Sequence, residues 1–309
     1  MGVVITATGT SSDTDTASIV THAARATKSA IAAAGISPTQ VGVLINTCVY
    51  RDSNTMEPAL AALVQKEAEI GLEYAAEDPL TFSFDLMNGA CGVLDAVHVA
   101  SSLLSTGSTE HVMVVSGDTH PSMTGADAPA DFPYATSGAA MLLGFTDSAD
   151  GFGRVHTELG DGTNGVRGYV DGDTIGANGR NLMTVECEDG FEIRLLEIAA
   201  STARAALAES AADPQTTLVI ASTPTADFPA KLAAELGVTA AESDLLREFD
   251  RDPHTATATL TYHHALQRGL LDGYRDILFV TAGAGPSAAS VVYRIPATGP
   301  DSGSAEANA

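Results

Sequence analysis

The chain lacks any uninterrupted apolar run of about twenty residues, the length a helix needs to cross a bilayer, so no membrane span is expected. Its opening residues, MGVVITATGTSSDTD, have no basic region ahead of an apolar stretch and do not read as a signal peptide. The Met-Gly start invites a lipidation reading, but VVIT reads better as an opening strand. Cysteine is scarce. Cys48, Cys91 and Cys187 are odd in number, widely spaced and without a CxxC pair. That argues against a disulfide framework and against a zinc site, and makes a reducing cytoplasm the expected compartment. Cations are scarce as well: 15 Lys and Arg face 39 Asp and Glu, for a formal net charge of -24. Such a balance disfavours nucleic acid and anionic membranes. It also disfavours an acidic carrier protein, unless a local basic patch survives. Solubility or adaptation to salt is the plain reading of the acidity.

What is present suffices for one large domain or two of ordinary size, with 309 residues and 45% hydrophobic content to build a core. The chain also echoes itself. TASIVTHAARATKSAIAAAGISPTQVGVLINT (16–47) resembles EIRLLEIAASTARAALAESAADPQTTLVIAST (192–223). Each is an Ala-rich amphipathic helix, a polar break and a buried strand. VLINT is followed by a loop and the helix EPALAALVQKEAEI; VIAST by a loop and FPAKLAAELG. FDLMNGACGVLDAVHVASSLLSTGSTEHVMVVSGDT parallels FDRDPHTATATLTYHHALQRGLLDGYRDILFVTAGAG. Strands alternating with helices predict right-handed crossovers and a mostly parallel sheet in each half. The halves are expected at 1–150 and 151–294, packed sheet to sheet across helices. The Gly- and Asp-rich stretch at 160–179 reads as an insertion loop without the strand–glycine–helix order of a phosphate cradle. The small, polar end, 295–309, reads as a disordered tail.

Cys91 stands between small residues at the start of an apolar, helix-periodic run. A thiol there lies near unpaired N–H groups and the positive end of a helix dipole, which favour thiolate. Gly89, Ala90 and Gly92 leave room for a ligand. A buried core thiol explains the same residue type equally well.

The motifs resemble those of the thiolase superfamily, and within it the beta-ketoacyl-acyl-carrier-protein synthase III branch, over residues 1–294. DLMNGACGVLDAVHVA is similar to the nucleophile motif D-x-x-x-A-C-x-G. FVTAGAGPSAASVVYR is similar to the closing glycine-rich strand pair. YATSGAAMLLG is similar to G-D-G-A-G-A-A-V-L, with Ala135 in place of the acidic residue. The resemblance implies two duplicated α/β halves packed as a five-layered αβαβα structure. It implies an acyl-accepting nucleophile at Cys91, which would split one transfer into two easier ones. It implies an oxyanion hole from the Cys91 N–H and one within Gly283–Ala284–Gly285, against the plain alternative of a strand-end turn.

Departures from the pattern matter chemically. The family's histidine in H-Q-A-N maps onto IASTPTADF, at Ser222, or at Thr223 with a one-residue slip. Its asparagine in G-N-T-S-A-A-S maps onto DPHTATATL, at His254. A hydroxyl is no proton shuttle near neutral pH, so His254 takes the part of general base; beside Asp250 and Asp252 it also fits a surface role. Glu57 is a candidate base on an acyl α-carbon, since a glutamate near this element does so in related condensing enzymes; the plain alternative is a helix-start glutamate satisfying the dipole. His263 and His264 read as core or surface residues, and Asp95 with His98 as a helix-face pair of no assigned part. The segment with a Trp and an Arg that grips the coenzyme A nucleotide is missing, and the chain has no Trp.

These readings imply no tightly bound cofactor, with an acyl-CoA or acyl-carrier-protein thioester as substrate. The leading expectation is Claisen-type condensation in a specialised pathway. Alternatives are acyl transfer to an oxygen or nitrogen nucleophile, and a non-catalytic subunit of another ketosynthase. A homodimer is expected, or a heteromer with a ketosynthase-like partner.

Overall fold

The computed structural model describes residues 2–72, 80–122, 132–160, 165–173, 183–283 and 285–296. Ala284 and the tail from 297 onward lie outside the described residues, as do parts of the Gly- and Asp-rich stretch.

Two sheets form the frame. The first contains β1 (Gly2–Ser11), β2 (Val41–Asn46), β3 (Phe82–Asp85), β4 (His111–Asp118) and β5 (Ser137–Thr146), in the order β1-β5-β4-β2-β3. The second contains β6 (Gly151–Phe152), β7 (His156–Leu159), β10 (Thr217–Ala221), β11 (Thr239–Ala240), β12 (Asp276–Gly283) and β13 (Ser287–Arg294). Its order is β11-β10-β12-β13-β6, with β7 also on β13. In each sheet three strands run parallel and the rest antiparallel: β3, β2 and β4 match β11, β10 and β12. β5 turns back on β4 as β13 does on β12. The sheets are therefore mixed, and the duplication extends to strand direction. A small hairpin, β8 (Val166–Tyr169) with β9 (Thr184–Cys187), is added in the second half, where the sequence places an insertion.

The helices are α1 (Ile19–Ala34), α2 (Leu60–Ala68), α3 (Gly92–Ser105), α4 (Phe191–Ser210), α5 (Phe228–Leu236) and α6 (Thr257–Gln267). The local rules that end α1 and α4 are the same. α1 stops at Gly35 (φ 66°) and α4 at Ala211 (φ 49°), both left-handed. A turn follows each, opened by proline and capped by Ser37 or Asp213, and then the buried strand begins. Glycine adopts that conformation without a Cβ penalty; Ala211 does not.

The apolar faces sort into layers. α1 and α2 pack Ile19, Ala23, Leu60 and Val64 on one face of the first sheet, against Leu44, Met113 and Leu142. α4 and α5 cover the second sheet with Leu195, Ala199, Phe228 and Leu232. Between the sheets lie α3 and α6, where Leu94, Val97 and Tyr262 meet Val112, Val114, Ile220, Ile277 and Phe279. This is the five-layered αβαβα arrangement. Its central layer brings the starts of α3 and α6 to the ends of β4 and β12.

Candidate active site

His254 sits in the turn that leads into α6. Asp252 builds that turn: its Oδ1 accepts the His254 N–H at 2.9 Å, the Thr223 hydroxyl at 2.8 Å and the Thr257 hydroxyl at 3.1 Å. The Asp252 carbonyl accepts the Ala135 N–H at 2.9 Å, which ties the turn to the segment ahead of β5. His254 is held at φ 51°, in the left-handed region that a side-chain-bearing residue rarely occupies. Such strain persists where the surroundings over-determine it, and it concentrates at functional sites.

The imidazole is aimed by Asp118, a fully buried carboxylate at the end of β4. Asp118 Oδ2 accepts from His254 Nδ1 at 3.0 Å, from the Thr255 hydroxyl at 2.6 Å and from the Thr255 N–H at 3.2 Å. Its Oδ1 accepts the N–H groups of Val49 at 3.0 Å and Tyr50 at 2.7 Å. Five donors offset the cost of removing that charge from water. With Nδ1 committed as donor, Nε2 is the nitrogen left for chemistry. Burial works against the charged ring, but the Asp118 charge and hydrogen bond, with Asp252 beside them, outweigh it and hold His254 above the usual imidazole value. Desolvation pushes the Asp252 carboxyl upward, against His254 and the three donors it accepts. Tyr134 stacks on the His254 ring, with centroids 4.1 Å apart and planes 25° apart. Tyr50 and Phe132 pack behind it.

His254, Tyr134, Asp252, Thr223 and Gly283 line one cavity of about 520 Å³. Its walls also include Phe191, Leu246 and Phe249, so it combines apolar surface with a few polar groups, the usual make-up of a small-molecule site. Among the described residues no group of three or more His, Cys, Asp or Glu is disposed to hold a metal ion.

Cys91 lies beside this cavity and not on its wall. Gly283 approaches Ala90 so closely that a Cβ on Gly283 would lie 3.1 Å from the Ala90 Cβ. The next residue, Cys91, caps α3 without a side-chain capping bond and is 2% exposed. Its Sγ donates to the carbonyls of Thr281 at 3.5 Å and Ser287 at 3.6 Å, with the Ser287 hydroxyl also at 3.6 Å. Burial raises its pKa to about 11, against the hydrogen bonds of Ser287 and Thr281. The expected thiolate is therefore corrected: in the free chain Cys91 is a protonated thiol, because desolvation outweighs the helix terminus. Its backbone N–H is also engaged, with the Asn88 carbonyl at 3.0 Å.

The remaining candidates separate cleanly. Ser222 is buried, receives the Ala282 N–H on its Oγ at 3.0 Å and gives its own N–H to the Val280 carbonyl. It ties β10 to β12, and the neighbouring Thr223 is the residue on the cavity wall. Glu57 is exposed in the loop before α2, outside that wall, so the single chain does not bring the candidate base to the cavity. Gly285 takes φ 78°, which glycine permits. Asp95 accepts from Asn88 at 2.7 Å and His98 is exposed. His263 bonds Thr8, and His264 the Leu245 carbonyl, as structural residues do. Asp118 and Tyr134 were not reached from the sequence. The available signal for Asp118 was a lone acid closing an otherwise apolar strand, in VVSGDT.

No family model matches the chain. It is 32% identical over 154 residues to a beta-ketoacyl-[acyl-carrier-protein] synthase III of Sphingopyxis alaskensis, covering 49% of this chain and 45% of that protein. A second, from Rhizorhabdus wittichii, is 30% identical over 158 residues, covering 51% and 46%. The matches thus span about half the length of these relatives. The priming beta-ketosynthase of the R1128 polyketide pathway superposes with a TM-score of 0.77 at 17% identity, over 97% of both chains. The 3-oxoacyl-(acyl carrier protein) synthase III of Pseudomonas aeruginosa PAO1 gives 0.74 at 18%, over 96% of this chain and 99% of that one. A tetronic acid condensing enzyme gives 0.76 at 17%, over 95% and 100%. The fold is the thiolase-like fold of condensing enzymes. Within it, the chain is similar to the beta-ketoacyl synthase III type, in fold throughout and in sequence over half its length.

Proposed function

We propose that the protein is an acyltransferase of the condensing-enzyme type, which takes an acyl group from a CoA or carrier-protein thioester onto Cys91. The observation that carries the reading is the Asp118–His254 pair, opening on a cavity that touches the Cys91 turn through Gly283 and Ala90. The Cys91 sulfur attacks the thioester carbonyl and gives up its proton, with His254 Nε2 as base. The imidazolium, stabilised by Asp118, returns a proton to the departing thiolate. A buried thiol held up near 11 needs such a base, and must exchange its carbonyl partners for the substrate. N–H groups around Gly283 and Gly285 receive the oxyanion, with the Cys91 N–H once it leaves Asn88. The α-carbanion of a second thioester, formed by loss of carbon dioxide or of a proton, then attacks the acyl-Cys91 carbonyl; the C–S bond breaks and Cys91 leaves as thiolate, in a Claisen condensation.

Acyl transfer to an oxygen or nitrogen nucleophile is the second reading. It is favoured by Thr223, which turns its hydroxyl to Asp252 where a second imidazole would assist enolate formation. One base near neutrality suffices to deprotonate an alcohol or amine in flight. The test is intact-protein mass spectrometry with acyl-CoA and acyl-carrier donors. An adduct on the wild type that is absent from Cys91→Ala supports acyl transfer; labelling that survives in Cys91→Ala overturns it. Release of carbon dioxide from a malonyl thioester then separates condensation from simple transfer.

A homodimer belongs to this reading. β3 is the open edge of the first sheet, and Leu80, Phe82 and Met87 on and beside it stay exposed. The cysteines are free, which fits a reducing compartment.

A further inference from the structure

Arginine without an acidic neighbour is unexpected in a chain with 39 acidic and 15 basic residues. Most described cations are taken: Arg25 by Asp15, Arg51 by Asp85, Arg204 by Glu235, Lys231 by Glu192, Arg294 by Asp276. Of the described cations that no ion pair takes, Lys66, Arg167, Arg251 and Arg275, Arg251 is the one on the cavity wall. It is half-buried, lines the cavity three residues before His254, and makes no ion pair or hydrogen bond among the described residues. Arg247 lines the same cavity and is 4.0 Å from Asp244, whose Oδ2 is already held by Arg268 at 3.2 Å. Arg251 and Arg247 thus both stand on the wall of an otherwise largely apolar cavity, Arg251 without an ion pair and Arg247 with only the long contact to Asp244. Of the acids on that wall, Asp252 is committed to the hydrogen bonds that build its own turn, leaving Asp250 and Glu242.

We propose that Arg251, assisted by Arg247, binds an anionic group of the substrate, a carboxylate or a phosphate, while His254 acts at the reacting end. Guanidinium is suited to this, because it is always charged and offers a planar fork of donors to either oxyanion. The proposal rests on the cavity being the substrate site, and deepens that reading by naming what the site selects.

Binding without turnover tests it, so its failure is distinguishable from failure of acyl transfer. Dissociation constants are measured by calorimetry at low salt in the Cys91→Ala background, which cannot take the acyl group, for pantetheine against 4′-phosphopantetheine, and for S-butyryl-pantetheine against S-succinyl-pantetheine. The first pair reads a phosphate on the carrier arm, the second a carboxylate on the acyl chain. One anionic form binds about tenfold more tightly than its neutral counterpart. That preference disappears in Arg251→Gln, is partly kept in Arg251→Lys, shrinks in Arg247→Gln and weakens with added salt. Equal binding of both members of each pair, no binding by either anion, or a preference retained in folded Arg251→Gln overturns the proposal.

Discussion

The turns that open α3 and α6 occupy matching places in the two halves. Aligned from Phe84 and Phe249, Gly89 falls opposite His254, and both have φ 51°. In the first half a glycine takes the left-handed position at no steric cost, and the turn ends on a thiol buried in the central layer. In the second, a histidine takes it, against a cost of roughly 1–2 kcal/mol, and its ring faces the cavity. The duplicated backbone therefore supplies one pose, and each half uses it differently: one turn ends on the proposed nucleophile, the other is strained to aim the proposed base. Asp118, from the first half, crosses to hold that base, so the site belongs to neither half alone.

The sharpest way to break the comparison is to remove the ring. His254→Ala should lower kcat/KM about 10²–10⁴-fold, the range of a general base. His254→Gly should lose as much activity but keep more stability, by roughly 1 kcal/mol, because only the alanine retains a Cβ at positive φ. Chemical denaturation of the two variants reads that difference. It runs opposite to the usual Ala-over-Gly order, so a less stable glycine variant would show that the turn stores no strain.

Asp118→Asn probes the link between the halves through pH. Asp118 helps raise the folded pKa of His254, so its contribution through that ring is full below the unfolded histidine value and fades as pH rises through the folded one. Destabilisation, about 3 kcal/mol for breaking a buried pair, should be larger at about pH 5.5 than at about pH 9. A base works unprotonated, so the acid limb of the wild-type rate profile lies above the usual imidazole range, and the variant's limb moves to lower pH. An unmoved limb would remove Asp118 from the His254 equilibrium.

Gly89→Ala sharpens the other side. It places on the first turn the strain that His254 already bears on the second, and should cost about 1–2 kcal/mol of stability with a small change in rate. A drop in rate without a drop in stability would mean that the Cys91 turn must move during the reaction.

The repeat, its order of elements and the two central helices were legible in the sequence because they follow from apolar periodicity and turn residues, and those survive duplication. Cys91, His254 and Gly283 were reached through motif resemblance, each marked by a local pattern. The state of Cys91 was not legible: helix position argues for thiolate, and only its burial in the central layer reveals the desolvation that reverses it. Asp118 and Tyr134 were invisible for a related reason. They meet His254 from 136 and 120 positions away, a closeness fixed by sheet stacking. Ser222 and Thr223 show the finest limit. They differ by one position at a strand end, where the alternation of faces decides which hydroxyl sees the cavity.

That last distinction gives the smallest effect. Ser222 Oγ is the acceptor for the buried Ala282 N–H, so Ser222→Ala leaves that donor unpaired and should cost about 1 kcal/mol. Its kcat/KM should stay within about twofold of wild type, because the hydroxyl lies between β10 and β12 and the cavity wall at this point is Thr223. Denaturation midpoint and turnover measured on one preparation separate the two. Ala282 also lines the cavity just before Gly283, so a shift of its N–H would carry to the Ala90 contact. A modest rise in KM that scales with lost stability fits that route. A hundredfold fall in kcat at unchanged stability would put Ser222 in the chemistry and move the catalytic centre from His254 toward the strand ends.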